Sequence, residues 1–92
     1  MSLKIVFMGT PEFSIPTLKI LQKSKHKIVC VYTQPPKKKS RGQKLLKTAV
    51  HIFSENEGIN VKTNQLSDKK EYEDFISLNA DLVVVIAYGQ II

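Results

Sequence analysis

At 92 residues the chain is long enough for one compact domain and too short for two. Its apolar share of 42% falls in short clusters, which excludes wholesale disorder, and the apolar run in MSLKIVFMGT is too short for a signal-peptide core or a membrane span. Six of the fourteen basic residues (Lys37, Lys38, Lys39, Arg41, Lys44 and Lys47) occupy one segment free of Asp and Glu, while the other eight balance the eight acidic ones, so the net charge of +6 is a local patch. Such a patch suits a polyanionic partner; a solvated loop is the competing reading.

In chain order, residues 4–8 form a continuous β-prone run stopped by Gly9, as expected of a central strand covered on both faces. A helical stripe follows at Leu18, Ile20 and Leu21. Pro16 well inside a helix would cost about 3 kcal/mol, so the helix is predicted to start near Ser14 as N-cap with Pro16 in its first turn, leaving residues 9–13 as a loop.

The polar turn Ser24-Lys25-His26-Lys27, with His26 solvated, leads into a second buried strand at residues 28–33. Residues 34–48 show neither helical nor strand periodicity, and Pro35-Pro36 enforces extended backbone, so a long exposed loop is predicted. Ala49, Val50, Ile52 and Phe53 predict a short helix closed by Gly58, and residues 60–63 a brief strand. Ser67 or Asp68 can cap a third helix with Tyr72, Phe75, Ile76 and Leu78 inward and Glu71, Glu73 and Asp74 toward water. Residues 82–87 are the fourth strand.

The order β-α-β-loop-α-β-α-β, with strands that are apolar runs, predicts an α/β fold with a Rossmann-like parallel sheet. In such sheets ligands bind outside the carboxyl ends of the strands. Those ends are Gly9-Thr10, Thr33-Gln34 and Tyr88-Gly89, which places the three unusual loops on one rim. The first loop, MGTPEFSIP, is not G-x-G-x-x-G, and Thr33-Gln34 stands where a ribose-binding acid would be expected, which disfavours a dinucleotide. Cys30 reads as a small buried hydrophobe, and an unpaired cysteine favours the cytosol. Neither histidine has a cysteine or carboxylate at metal-ligand spacing or a partner to orient it as a base, so no metal site and no catalytic residue is assigned.

FMGTPEFSIPTL, VYTQPPKKKSRGQKL and VVVIAYGQII together resemble the amino-terminal part of the methionyl-tRNA formyltransferases, in register over the whole chain. Gly9-Thr10-Pro11-Glu12-Phe13 and Thr33-Gln34-Pro35 carry the resemblance to that branch; the sheet pattern alone fits any folate-dependent formyltransferase. The resemblance implies transfer of a formyl group from 10-formyltetrahydrofolate to the α-amine of methionyl initiator tRNA. It assigns tRNA contact to Lys37, Lys38, Lys39, Arg41, Gly42 and Lys44, the border of the methionyl end to Gly9, Thr10 and Phe13, and the pterin pocket to Tyr88, Gly89, Gln90, Ile91 and Ile92. Lysines would supply sequence-independent attraction to phosphate, and Arg41 could also fork onto a base edge.

The family's catalytic Asn-x-His pair and later Asp lie downstream of its AYG turn and are not among these residues. Residues 1–92 are therefore expected to be a truncated half-domain, catalytically silent alone, from a full-length enzyme expected to be monomeric. Its fourth strand would be left as an edge through which copies could pair. Two rivals stand beside this reading: another folate-dependent formyltransferase, for which six cations on one arm would be surplus, and a standalone RNA-binding module.

Overall fold

The computed structural model of the chain describes residues 2–39, 44–63 and 69–88. Strand β1 (Lys4–Gly9) is followed by a single 3-10 turn (Glu12–Ser14), helix α1 (Ile15–Lys23) and strand β2 (Lys27–Tyr32). Two short strands, β3 (Lys37–Lys39) and β4 (Lys44–Leu46), precede helix α2 (Ala49–Asn56) and strand β5 (Val61–Lys62), and helix α3 (Lys69–Ser77) leads to strand β6 (Leu82–Ile86). The main sheet has the order β5-β2-β1-β6 with every pair parallel, the α/β Rossmann-like arrangement expected from the apolar runs. β1 is central, as predicted, with Ile5, Val6, Phe7 and Met8 buried.

Alternation along the strands divides the core into two faces. Phe7 and Val31 point one way and meet Leu18 of α1 and Val50 of α2. Val6, Met8, Cys30 and Tyr32 point the other way, against Phe75 of α3 and Leu78 just after it, with Tyr88 in the same cluster.

The helix ends follow local chemistry. Ser14 is the N-cap of α1 and Pro16 lies in its first turn, as predicted, but the Ser14 hydroxyl donates to the Pro11 carbonyl at 2.7 Å and makes no cap bond. Thr48 caps α2 by accepting the His51 N–H at 3.0 Å. At the other end Gly58 takes φ +70°. The Gly58 N–H donates to the Glu55 carbonyl and the Ile59 N–H to the Ser54 carbonyl, the paired pattern that satisfies the last carbonyls of a helix.

Four expectations are corrected. The predicted loop over residues 34–48 contains an antiparallel pair, β3 with β4, in the register Lys37 with Leu46, Lys38 with Leu45 and Lys39 with Lys44. Its strands are three residues long, Lys-Lys-Lys and Lys-Leu-Leu, so backbone pairing makes it and no apolar period announces it. Phe75 of α3 and Leu78, one residue past the helix, face inward as predicted, but Tyr72 and Ile76 are 48% and 54% exposed, because the helix touches the sheet along a narrower stripe than its apolar face. His26 is not simply a solvated turn residue: its Nδ1 accepts the Leu3 N–H at 2.9 Å, joining the turn before β2 to the start of β1. The α3 carboxylates do not all face open water either, since Lys62 of β5 lies 3.9 Å from Glu71 and 4.0 Å from Asp74.

The predicted caps Ser67 and Asp68 lie outside the described residues. β6 forms one edge of the sheet with Leu82, Val83 and Val85 exposed. No helix among the described residues is long and apolar enough to cross a membrane.

Candidate functional site

The carboxyl ends of β1, β2 and β6 are joined by side-chain hydrogen bonds. Thr10, just past β1, donates its hydroxyl to the Tyr88 carbonyl at 2.9 Å and accepts the Gln34 N–H at 3.3 Å. The Gln34 side-chain amide, just past β2, donates to the same Tyr88 carbonyl at 3.0 Å. The three loops expected to share a rim therefore do so.

Beside this junction lies a cavity of about 420 Å³. Its walls are residues 10–12 of the first loop, Gln34, Pro35 and Lys37 on the way into the hairpin, and residues 46–49 on the way out. The base of the hairpin is closed by Thr33, fully buried, whose hydroxyl is 2.7 Å from that of Thr48. Lys37 and Lys47 thus line a depression beside the carboxyl end of the parallel sheet, together with Glu12.

Thr10 lines the cavity. Gly9 sits beneath it at close quarters: a Cβ there would come within 2.8 Å of the Phe7 ring and 2.9 Å of the Ser14 hydroxyl. Phe13, 69% exposed, belongs to a neighbouring open groove with Pro16, Lys19 and Phe53 and not to the cavity wall. Lys37, Lys38 and Lys39 make up β3, and Lys44 begins β4. Arg41 and Gly42 lie outside the described residues, as do Gly89, Gln90, Ile91 and Ile92. Tyr88 is described, and its ring is turned into the core at 2% exposure. What it presents to the rim is its backbone carbonyl.

Sequence reasoning passed over three residues that shape this region. Gln34 enters the sequence reading as the end of the second strand and as part of Thr33-Gln34-Pro35, with no role of its own, and its two hydrogen bonds span segments far apart in the chain. Thr48 carried a visible signal, a threonine directly before an apolar helical stripe. Glu55 lies four residues after His51, a carboxylate spacing the sequence reading did not register: its Oε2 is 3.6 Å from His51 Nε2 and its Oε1 accepts from Lys47 at 2.8 Å. The hydrogen-bonded Lys47 ammonium holds the Glu55 carboxyl below its ordinary value, with a smaller contribution from His51.

His51 is nearly buried, and its Nδ1 finds no hydrogen-bond partner among the described residues. Cys30 is buried beneath α3, and loss of hydration pushes its thiol up to about 11, the opposite of what a nucleophilic thiolate needs. No group of three or more His, Cys, Asp and Glu residues able to hold a metal ion occurs among the described residues.

The model of a family described as formyl transferase matches residues 3–92. The chain is 50% identical over its whole length to a methionyl-tRNA formyltransferase of Pelagibacter ubique and 47% identical over its whole length to one of Coxiella burnetii. Over 97% of its length it is 52% identical to one of Rhizobium leguminosarum bv. trifolii. It spans about 30% of the length of these curated relatives. With the parallel sheet and the joined loops at its carboxyl rim, a match over nearly every residue places the chain in the formyl transferase family.

Proposed function

We propose that this chain supplies the sheet rim and the cationic arm of a methionyl-tRNA formyltransferase, which moves a formyl group from 10-formyltetrahydrofolate to the amine of methionyl initiator tRNA. The observation that carries the reading is the cavity bounded on one side by Thr10 and Gln34 and on the other by the lysine-rich hairpin. A ligand held in it would meet Lys37 and Lys47 on one side and the rim residues Thr10 and Gln34 on the other. The relatives, methionyl-tRNA formyltransferases by name, agree with such a ligand.

In this reading the hairpin, with Lys37, Lys38, Lys39, Arg41, Gly42 and Lys44, attracts the phosphates of the acceptor stem. Gly9, Thr10 and Phe13 border the methionyl end, and Tyr88 with Gly89, Gln90, Ile91 and Ile92 forms the donor side. A small amino-sugar or purine acceptor would leave the six cations without a role.

The reaction joins the amine nitrogen to the formyl carbon and releases the folate nitrogen, so it needs a neutral amine, a stabilised oxyanion and a proton acceptor. By resemblance, an Asn-x-His pair and an Asp provide these, and residues 1–92 contain no Asn-x-His. The chain is therefore expected to bind and not to turn over, in the cytosol where its substrates reside.

The test is fluorescence anisotropy of the 92-residue chain with a methionylated acceptor-stem minihelix across a salt series. Affinity is expected to fall with log salt by about 0.9 for each phosphate neutralised. Replacing Lys37, Lys38, Lys39 and Arg41 with Gln should remove most of that slope; equal binding by the variant would overturn the role of the arm. Formyl transfer by the chain alone at the rate of a complete enzyme would overturn the division between binding and chemistry.

A further inference from the structure

Ala87 follows the last residue of β6 and takes φ +48°, inside the left-handed region that a side chain with a Cβ disfavours. A non-glycine residue keeps such a conformation only where its surroundings over-determine it. Here the surroundings are explicit. The Tyr88 ring, 2% exposed, is locked into the core formed with Met8, Cys30 and Tyr32. The Tyr88 carbonyl is held from the other side by Thr10 Oγ1 at 2.9 Å and Gln34 Nε2 at 3.0 Å. Gln34 also gives its N–H to Thr10 Oγ1 at 3.3 Å, so the two donors fix each other.

We propose that Thr10 and Gln34 are positioning residues that hold the bend at residues 87–88 in its left-handed form and thereby set the direction in which the chain leaves β6. Both residues also line the cavity beside the basic hairpin. Occupation of that cavity and the geometry of the bend are thus coupled through one amide and one hydroxyl. A ligand that takes the Gln34 amide for itself releases the Tyr88 carbonyl, while one that packs against Gln34 and Thr10 without breaking their bonds tightens the bend. Coupling of this kind is reciprocal: whatever binds beyond the bend affects the cavity by the same factor. Identifying the two ligands as the acceptor end of methionyl-tRNA and the formyl donor rests on the function proposed above; the positioning role itself does not.

The chemistry is specific to these side chains. Gln34→Leu keeps the backbone N–H and loses the donor to Tyr88. Gln34→Glu sets a carboxylate against a carbonyl and should be worse. Thr10→Ser keeps the hydroxyl, whereas Thr10→Val loses both of its bonds.

The deciding experiment is NMR on the isotope-labelled 92-residue chain, reading the Ala87 HN–Hα coupling and its Cα and Cβ shifts, which report φ. Wild type and Thr10→Ser should share the left-handed signature, and Gln34→Leu and Thr10→Val should lose it or show exchange at Ala87 and Tyr88, with the amides of Leu18 and Val50 unmoved. Adding Ala87→Gly to Gln34→Leu should return the Tyr88 amide and Cα shifts to their wild-type positions, because glycine adopts that φ without a pin. An unchanged Ala87 signature in both Gln34→Leu and Thr10→Val overturns the proposal.

A second arm measures affinity for the methionylated minihelix with and without 5-formyltetrahydrofolate. A change of fivefold or more in wild type that vanishes in Gln34→Leu supports the coupling, and a change that survives in the variant overturns it. Absence of binding to either probe would count against the proposed ligands, and the Ala87 signature would still decide the positioning role.

Discussion

The hydroxyls of Thr33 and Thr48 meet at 2.7 Å across the base of the basic hairpin. One residue follows β2 and the other caps α2, so this single bond fixes both stems of the arm, and Thr48 also takes up the His51 N–H. Thr48→Val keeps the shape and loses both bonds. It should destabilise the chain by about 1–2 kcal/mol, read as a drop of several degrees in thermal unfolding followed by circular dichroism. Thr48→Ser should stay close to wild type. If valine were tolerated as well as serine, the two stems would be held by something other than this bond.

Gly9 is required for space. A Cβ there meets the Phe7 ring at 2.8 Å, the Ser14 hydroxyl at 2.9 Å and the Ile86 carbonyl at 3.2 Å. Ser14 has little room to yield, because its hydroxyl is bonded to the Pro11 carbonyl. Gly9→Ala should therefore cost about 1–3 kcal/mol, measured as a lower urea midpoint. A wild-type midpoint would mean that the end of β1 can shift without loss.

The two edges of the sheet differ. β5 is two residues long and carries Lys62, whereas β6 has five residues and is the one strand without a charged side chain among those described. Uncharged apolar edges with free backbone groups pair with other strands. The chain should associate with itself as its concentration rises in sedimentation equilibrium, and Val85→Lys, at a position 51% exposed, should return it to monomer. Association that survives this substitution would place the contact elsewhere.

Burial beneath α3 makes stability sensitive to alkali. Desolvation raises Cys30 from 9.0 to about 11 and is also the leading cause of the upward shifts at Tyr32 and Tyr88. Each group loses its proton at lower pH in the unfolded chain than in the folded one. The stabilisation is therefore complete below about pH 9 and declines as pH rises toward 11. Urea midpoints from pH 7 to 11 should be level and then fall, and Cys30→Ala should flatten the first part of the fall. Native Cys30 should react with thiol reagents at pH 8 only as fast as the chain opens; rapid labelling would show that it is not shielded.

Much of the fold is legible in the sequence because the signals are local. Runs such as IVFM and VVVI read as strands of a parallel sheet, although Val83 and Val85 of the second run lie exposed on the edge strand, and Pro16 dictates where α1 begins. What stayed hidden was non-local. The pairing of β3 with β4 depends on backbone register between two three-residue pieces, Lys-Lys-Lys and Lys-Leu-Leu, too short to show a period. The apolar period of α3 reveals a face but not how much of it touches the sheet, so Tyr72 and Ile76 were assigned inward and lie exposed.

The sequence by itself determined the parallel α/β plan, the location of the cationic segment and the family, since each is carried by residue type and short spacing along the chain. Only the tertiary structure decided that Thr10, Gln34 and Tyr88 form one hydrogen-bonded junction, that the Tyr88 ring serves the core and leaves its carbonyl to the rim, and that Thr33 and Thr48 clasp the arm. Those relations join positions as many as 78 residues apart. They exist because the ends of adjacent parallel strands are brought together in space, a consequence of packing that no local spacing records.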